Sequence, residues 1–389
     1  MTKSAQTEIS VGGAVSFDRG ISVAVVGATG LVGQEFLQIL SERNFPIKSL
    51  KLFASEKSSG STVSFQNQNA KINAKIGMKM VVKVEQLTPG CFEGVDVAFF
   101  SAGSDISKEW APLAVNEKCF VIDNSSAFRM QKDVPLIVPE VNSEKIPKRN
   151  NPSIIANPNC STIQLVVALK PLSDRFGLSQ VIVSTYQSVS GAGKAAIEEL
   201  TRHTAALLSS GNTQQLDARG SESSDHKSAQ HKSSALKSEI FAHSIAFNNL
   251  PHIDVFDDSG FTFEELKIIN ETQKIMSLPD LDISATAVRT STFNGHSEAV
   301  WADINTEVSR DEFVACLKAA PGIEIMDKPS ENIYPLNRDL SGRDEVFIGR
   351  IRRDLKNKKR WLMWIVSDNI RKGAALNGIQ IAEHLFSLK

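Results

Sequence analysis

At 389 residues the chain is too long for one ordinary core, and length alone divides it into two or three domains. Its 41% hydrophobic and 22% charged content is that of soluble globular protein, and a net charge near -1 gives no basis for binding nucleic acid or an anionic membrane. No run of about 20 apolar residues is available to span a bilayer, and the scattered Cys91, Cys119, Cys160 and Cys316 form no CxxC pair for zinc or a secreted disulfide framework. A reducing compartment, the cytoplasm, is the expected location. Residues 1–19 are small and polar, without the apolar core of a secretory signal, and read as a flexible extension; the plastid stroma is the alternative if they are the remnant of a targeting segment.

Ile21 to Val26 is a β-branched run that ends at a glycine turn, Gly27-Ala28-Thr29-Gly30-Leu31-Val32-Gly33, and an apolar-periodic helix follows to about Leu40. Strand, glycine turn and helix open a dinucleotide-binding βαβ unit, in which the glycines permit a tight turn and close approach to a pyrophosphate at the helix N-terminus. A second strand, Leu50 to Ser55, leads to Glu56-Lys57-Ser58-Ser59-Gly60, where hydroxyls and a lysine suit the 2′-phosphate of NADP and Glu56 argues the other way. Val95 to Gly103 and Cys119 to Asn124 are near-continuous apolar runs of the kind found in parallel strands covered on both faces, with a helix from Ile106 to Glu117 between them. Arg129 lies just past the second, at the strand end where ligands bind in open sheets, and is an anion-binding candidate.

Ile154-Ile155-Ala156 then runs into Asn157-Pro158-Asn159 and delivers Cys160 to the start of a helix reaching Lys170. Helix N-termini carry partial positive charge and unpaired N–H groups, so a thiol there is expected to have a lowered pKa and its N–H groups could receive an oxyanion. Val181 to Gln187 is a strand entering a second glycine-rich turn at Ser190-Gly191, followed by a helix from about Lys194 to Leu208. Between Ser209 and Ser238 nine serines and almost no large apolar residue mark a low-complexity insertion; nothing near His226 and His231 completes a metal shell, so no metal site is expected. Thr262 and Glu265 make a capping box for the next helix, leaving Glu264 and Lys267 paired on one face. Ile283 to Arg289 alternates as a strand, and His296 follows Gly295 in what reads as a loop, a plausible base. Val346 to Asp354 and Trp361 to Ser367 are further strands, and a helix from about Ile370 to Leu388 closes the chain.

Taken in order, Gly27-Ala28-Thr29-Gly30, Asp123 to Met130, Asn157 to Thr162, Ser184 to Gln187, Gly295 to Glu298 and Asp368 to Ala375 resemble the motifs of the aspartate-β-semialdehyde dehydrogenase family, from about Ile21 to the C-terminus apart from the insertion. The resemblance implies an α/β fold: a Rossmann-type dinucleotide-binding domain over residues 20–157 and 369–389, and an α+β catalytic and dimerisation domain over 158–368, with the C-terminal helix returning to the first. It implies Cys160 as acyl-thioester nucleophile and His296 as acid/base, with Gln187, Glu264 and Arg289 binding substrate and Arg129 and Lys267 holding phosphate. NADP(H) would be bound by Thr29, Gly30, Leu31, Val32, Lys57, Ser58, Ser190, Gly191 and Asn369, in a homodimer or homotetramer that reduces L-4-aspartyl phosphate. Related acyl-CoA and acyl-phosphate reductases share the cysteine and hydride logic, but their substrates lack the free ammonium that Glu264 would bind. A non-catalytic dinucleotide sensor is disfavoured by the intact Cys160 and His296.

Overall fold

The computed structural model describes residues 10–11, 15–16, 20–72, 75–209 and 238–388. Most of the expected extension over 1–19 and of the serine-rich insertion therefore lies outside the described residues. The two described fragments of the extension are short strands, β1 (Ser10–Val11) and β2 (Val15–Ser16), which pair with strands of the first sheet.

Among the described residues nine strands form that first sheet. After β1 and β2 these are β3 (Ile21–Val26), β4 (Ile47–Phe53), β5 (Thr62–Ile72), β6 (Lys75–Glu85), β7 (Val97–Phe100), β8 (Phe120–Asp123) and β9 (Ile154–Ala156). Every residue of β3, β7 and β8 is buried, which is why their sequences are continuous apolar runs instead of alternating ones. β3 pairs in parallel with β4 on one side and β7 on the other, followed by β8 and β9. The chain thus reverses direction across the sheet beside β3, and the turns after β3, β8 and β9 gather at this switch point, at the carboxyl edge where ligands bind in such sheets. The β5–β6 hairpin at the other edge has no counterpart in the sequence reading.

Helix α1 (Leu31–Glu42) packs on this sheet through Phe36, Leu37, Ile39 and Leu40, and α2 (Ser104–Asn116) packs on it through Ala111 and Ala114. Gly33 is required by the packing of α1: a Cβ there would come within 2.2 Å of the Gly27 carbonyl oxygen. Helix α3 (Cys160–Phe176) leaves the first sheet at β9 and is buried on every side from Ser161 to Leu169, because it crosses into the second core.

That core lies under a second sheet. In chain order its strands are β10 (Leu178–Gln187), β11 (Asn249–Leu250), β12 (Asp282–Thr290), β13 (His296–Ile304), β14 (Ile323–Ile325), β15 (Val346–Arg353) and β16 (Arg360–Ser367). Their spatial order is β11-β12-β10-β13-β16-β15-β14. Alternation is clear: Val181, Val183, Val300, Ala302, Trp361 and Met363 face α3, while Ile182, Tyr186, Trp301 and Trp364 face the other way, half-buried or exposed. Helix α4 (Lys194–Ser209) follows β10, and α5 (Phe263–Met276) lies against α3. Helix α6 (Arg310–Lys318) brings Phe313 onto Trp361, ring centroids 4.2 Å apart.

The chain end departs from the expected single helix over 370–388. Asp368 caps the backbone N–H groups of Ile370 and Arg371, a wide π-helical turn spans Arg371–Ala375, and α7 (Leu376–Leu385) follows. The turn accommodates the buried Lys372, whose ammonium reaches both Glu140 oxygens at 2.8 Å. Helix α7 then returns to the core of the first sheet through Leu376, Ile379, Ile381 and Leu385.

Candidate active site

α3 begins at Cys160 because Asn159 caps it, its side-chain oxygen accepting from the backbone N–H groups of Ser161 and Thr162 at 3.0 and 3.3 Å. Asn159 is itself held from α5: its backbone N–H donates to Glu271 at 2.6 Å and its side-chain amide to Glu264 at 2.9 Å. On the other flank Gly373 lies so close that a Cβ there would be 2.9 Å from that of Cys160. The cysteine therefore sits where both sheets, α5 and the C-terminal turn converge.

Cys160 opens on a cavity of about 510 Å³ that is also lined by Arg129, Gln187, Glu264, Lys267 and Arg289. Its nucleotide-side wall contains Gly30, Leu31, Val32, Ser190, Gly191 and Asn369. Thr29 opens on an adjoining cleft shared with Gly30, Leu31 and Ser190. Lys57 and Ser58 lie apart, in the single 3₁₀ turn Glu56–Ser58 after β4. The N-terminus of α1 has Gly30 as its cap residue and no side chain satisfying its N–H groups, an arrangement suited to phosphate oxygens.

Two expectations about these side chains need correction. The Cys160 thiol is pushed up to about 12, not lowered: burial and then the Glu264 carboxylate raise it, and together they outweigh Arg289, Arg129 and the helix-end N–H of Ser161. Arg129 and Lys267 are both held by carboxylates, and Lys267 makes the pair with Glu264 that its spacing predicts. Arg129 donates to Glu271 at 3.0 Å and to the Asn124 carbonyl at 2.7 Å, and its buried Nε has no partner among the described residues. Lys267 bridges Asp254 at 2.6 Å and Glu264 at 3.3 Å; burial opposes its charge, but these two carboxylates raise its pKa.

His296 is the second. It is the first residue of β13, not a loop residue, and it is wholly buried outside the cavity lining. Gly191 is the thin wall between: a Cβ there would lie 3.2 Å from His296 Nε2 and 2.9 Å from an Arg289 nitrogen. The backbone N–H of Ser188 donates to Nδ1 at 3.2 Å, which places the neutral ring's proton on Nε2, and that nitrogen has no partner among the described residues. Burial and the Arg289 charge hold the imidazole well below its ordinary value of 6.5, so it is neutral.

In the shell around these groups sequence reasoning missed Ser188 and Glu271. Ser188 contacts His296, Ser190 and Asn369, and its carbonyl accepts from Arg289 at 2.8 Å. Gln187 donates to Glu264 at 3.0 Å. Glu271 joins Arg129 to Asn159, and its pKa is raised by burial against the pull of Arg129. The one local signal for Glu271 is its spacing, since it follows Glu264 by two helical turns on the same face.

The sequence model of the semialdehyde dehydrogenase NAD-binding domain matches residues 22–149, and that of the semialdehyde dehydrogenase dimerisation domain matches 169–372. The aspartate-semialdehyde dehydrogenase of Aquifex aeolicus is 48% identical over 366 residues, covering 94% of this chain and 98% of that one. The chain belongs to the aspartate-semialdehyde dehydrogenase family. It is an oxidoreductase with a nicotinamide cofactor, built as the family's two domains. Aspartate semialdehyde dehydrogenase II of Vibrio cholerae, solved complexed with ASA, superposes with a TM-score of 0.82 at 41% identity over 95% of this chain and 99% of that one. The Candida albicans member of the family, solved with NADP, gives 0.67 at 26% identity over 94% and 99%. Among the described residues no helix is long and apolar enough to cross a membrane, and no group of metal-ligating side chains occurs.

Proposed function

We propose that this chain reduces L-4-aspartyl phosphate with NADPH, reversibly, through a thioester on Cys160. The carrying observation is the single cavity in which Cys160 faces the glycine turn of the dinucleotide domain on one side and Glu264, Arg289, Lys267 and Arg129 on the other. A substrate with a phosphate, an α-carboxylate and an ammonium needs two cationic sites and one anionic site; Arg129 with Lys267, Arg289, and Glu264 supply them. Bound against the first turn of α1, a nicotinamide nucleotide supplies or accepts the hydride.

Glu264 also affects the thiol. Its charge is the second cause raising Cys160, so a substrate ammonium that neutralises it favours the thiolate only when substrate is present. The thiolate attacks the acyl carbon, the C–O bond to phosphate breaks, and phosphate leaves with the bond pair toward Arg129 and Lys267. Gln187, anchored on Glu264, orients the substrate. His296, with its proton on Nε2 and that nitrogen unpartnered, is set to donate to the oxygen of the tetrahedral thio-adduct. Lys57 and Ser58 at the end of β4 would meet the 2′-phosphate. The outward face of the second sheet, where the Tyr186 and Trp364 rings meet at 5.4 Å with a 47° tilt, is the surface we assign to a homodimer.

The test is phosphate-dependent oxidation of L-aspartate semialdehyde with NADP and with NAD. Cys160→Ala should abolish turnover and leave cofactor binding intact; residual wild-type-like turnover refutes the covalent route. Lys57→Ala should raise KM for NADP about tenfold to a hundredfold, the worth of a charge-assisted contact of about 1.5–3 kcal/mol, and leave that for NAD unchanged.

A further inference from the structure

One buried acid near this site has no part in the mechanism above. Glu298 lies two residues beyond His296 on β13, so both side chains point to the same face of the sheet, toward α3. It is completely buried, and no ion pair reaches it among the described residues. Its neighbours across the strands are Thr185 on β10 and Ile365 on β16, neither of them charged. From α3 the one polar side chain acting on it is Gln164, which is also completely buried. Among the described residues both Glu298 oxygens and the Gln164 side-chain nitrogen are buried without a hydrogen-bond partner, which leaves the carboxyl and the amide N–H free to pair with each other.

Gln164 stands one helical turn after Cys160 on α3. Its oxygen accepts from Ser367 at 2.6 Å, and Ser367 is the residue of β16 paired with His296. Gln164 therefore bonds β16 at Ser367 and acts on Glu298 of β13, one helical turn from Cys160 and two residues along the strand from His296. A carboxylic acid and a carboxamide are self-complementary, the acid O–H donating to the amide oxygen and the amide N–H to the acid carbonyl. An ionised carboxylate in this place would lie in an apolar enclosure with no cation to compensate it.

We propose that Glu298 is a positioning residue that acts as a neutral acid, tying β13 to α3 through Gln164 and so setting His296 against Cys160. The inference rests on the cysteine and histidine roles proposed above. Burial drives the carboxyl well above its ordinary range, consistent with a proton held through neutral pH.

The distinguishing comparison is between Glu298→Gln, which keeps a neutral group of the same shape, and Glu298→Leu, with Gln164→Leu as a second break in the tie should Glu298→Leu fail to fold. Glu298→Gln should keep kcat within about threefold, while Gln164→Leu and folded Glu298→Leu should lose about tenfold or more in kcat with KM for both substrates nearly unchanged. The rate of Cys160 alkylation by iodoacetamide should be unaltered in all three, since the tie sets the geometry and not the thiol's own titration. In wild type kcat should decline at alkaline pH as Glu298 ionises, and in Glu298→Gln that decline should move to higher pH or vanish. Glu298→Gln as damaging as Glu298→Leu would overturn the neutral-acid assignment, and Gln164→Leu with unchanged kcat would overturn the tie. Cys160→Ala measured alongside separates the two levels: turnover surviving there defeats the covalent reading itself, whatever Glu298 does.

Discussion

Glu264 holds three partners at once, accepting from Asn159, Gln187 and Lys267, and it also raises the Cys160 thiol. Replacing it with glutamine removes the charge but keeps the size, so the thiol of free Glu264→Gln should titrate lower and react faster with iodoacetamide near pH 8, even as KM for the amino-acid substrate rises. A thiol that alkylates no faster than wild type would remove Glu264 from the control of Cys160. His296 gives a prediction of opposite chemistry. Its Asn variant should lose about 10²–10⁴ in kcat, the usual worth of an acid/base group. The native imidazole refuses a proton that the unfolded chain takes up near 6.5, so between the lowered native value and 6.5 the unfolded state holds more protons. Its contribution to stability is thus complete above 6.5 and lost as the pH falls below it. Urea unfolding at pH 5.5 and 7.5 should show a smaller difference for His296→Asn than for wild type. Cys160 is legible in the sequence because an apolar strand, an Asn-Pro turn and a helix start are all local signals. The direction of its pKa is not, because burial and Glu264, 104 positions away, oppose the local helix end and win.

At the scale of elements, α5 shows both what patterns reveal and where they stop. Thr262 and Glu265 form the capping box their spacing predicts: the Thr262 hydroxyl accepts from the Glu265 N–H at 3.3 Å and Glu265 accepts from the Thr262 N–H at 2.8 Å. The same carboxylate also accepts from the Ala287 N–H on β12, a partner that only the tertiary fold supplies. Thr262→Ala should cost about 0.5–2 kcal/mol in denaturant unfolding, the worth of an N-cap. Because the N-terminal half of α5 carries Glu264, Lys267 and Glu271, KM for phosphate should rise as well. A stability loss with wild-type KM values would mean that tertiary contacts alone hold these side chains. The strands are legible for the same reason as the cap: period-two alternation in β12 and continuous burial in β3 and β8 are written in consecutive residues. In β6 the apolar residues Ile76, Met78, Met80, Val82 and Val84 do alternate, but its sequence names no partner strand, and the π-helical turn at 371–375 follows from packing of Lys372 and Gly373 against distant partners and is not visible locally.

For the whole molecule the question is what sets the glycine turn of one domain against the cysteine of the other. Arg371 provides a physical answer. Its guanidinium, 8% exposed, reaches Glu35 at 3.0 Å and Glu42, both on α1 of the dinucleotide domain, and also Asp344, just before β15 of the second sheet. Arg43, just past the end of α1, repeats the pattern with Glu383 on α7 at 2.7 Å and Asp344 at 3.4 Å. Such planar forks fix orientation as well as distance, which a flexible ammonium does not. Since α1 begins at the turn that lines the cavity, a shift of that helix would move Gly30 to Val32 relative to Cys160. Arg371→Met removes the fork and leaves Glu35, largely buried and already raised by burial, without its main counter-charge. The loss expected is about 1–3 kcal/mol in unfolding free energy, since Glu42 and Asp344 are partly exposed and can recover water. A purely structural role would stop there. If the fork registers the two domains, Arg371→Met should also raise KM for the dinucleotide, and Arg371→Lys, which keeps the charge but not the fork, should recover part of the stability and little of the KM. Full recovery of both by lysine would show that charge alone holds the domains, and unchanged KM in both variants would free the cofactor turn from any dependence on Arg371.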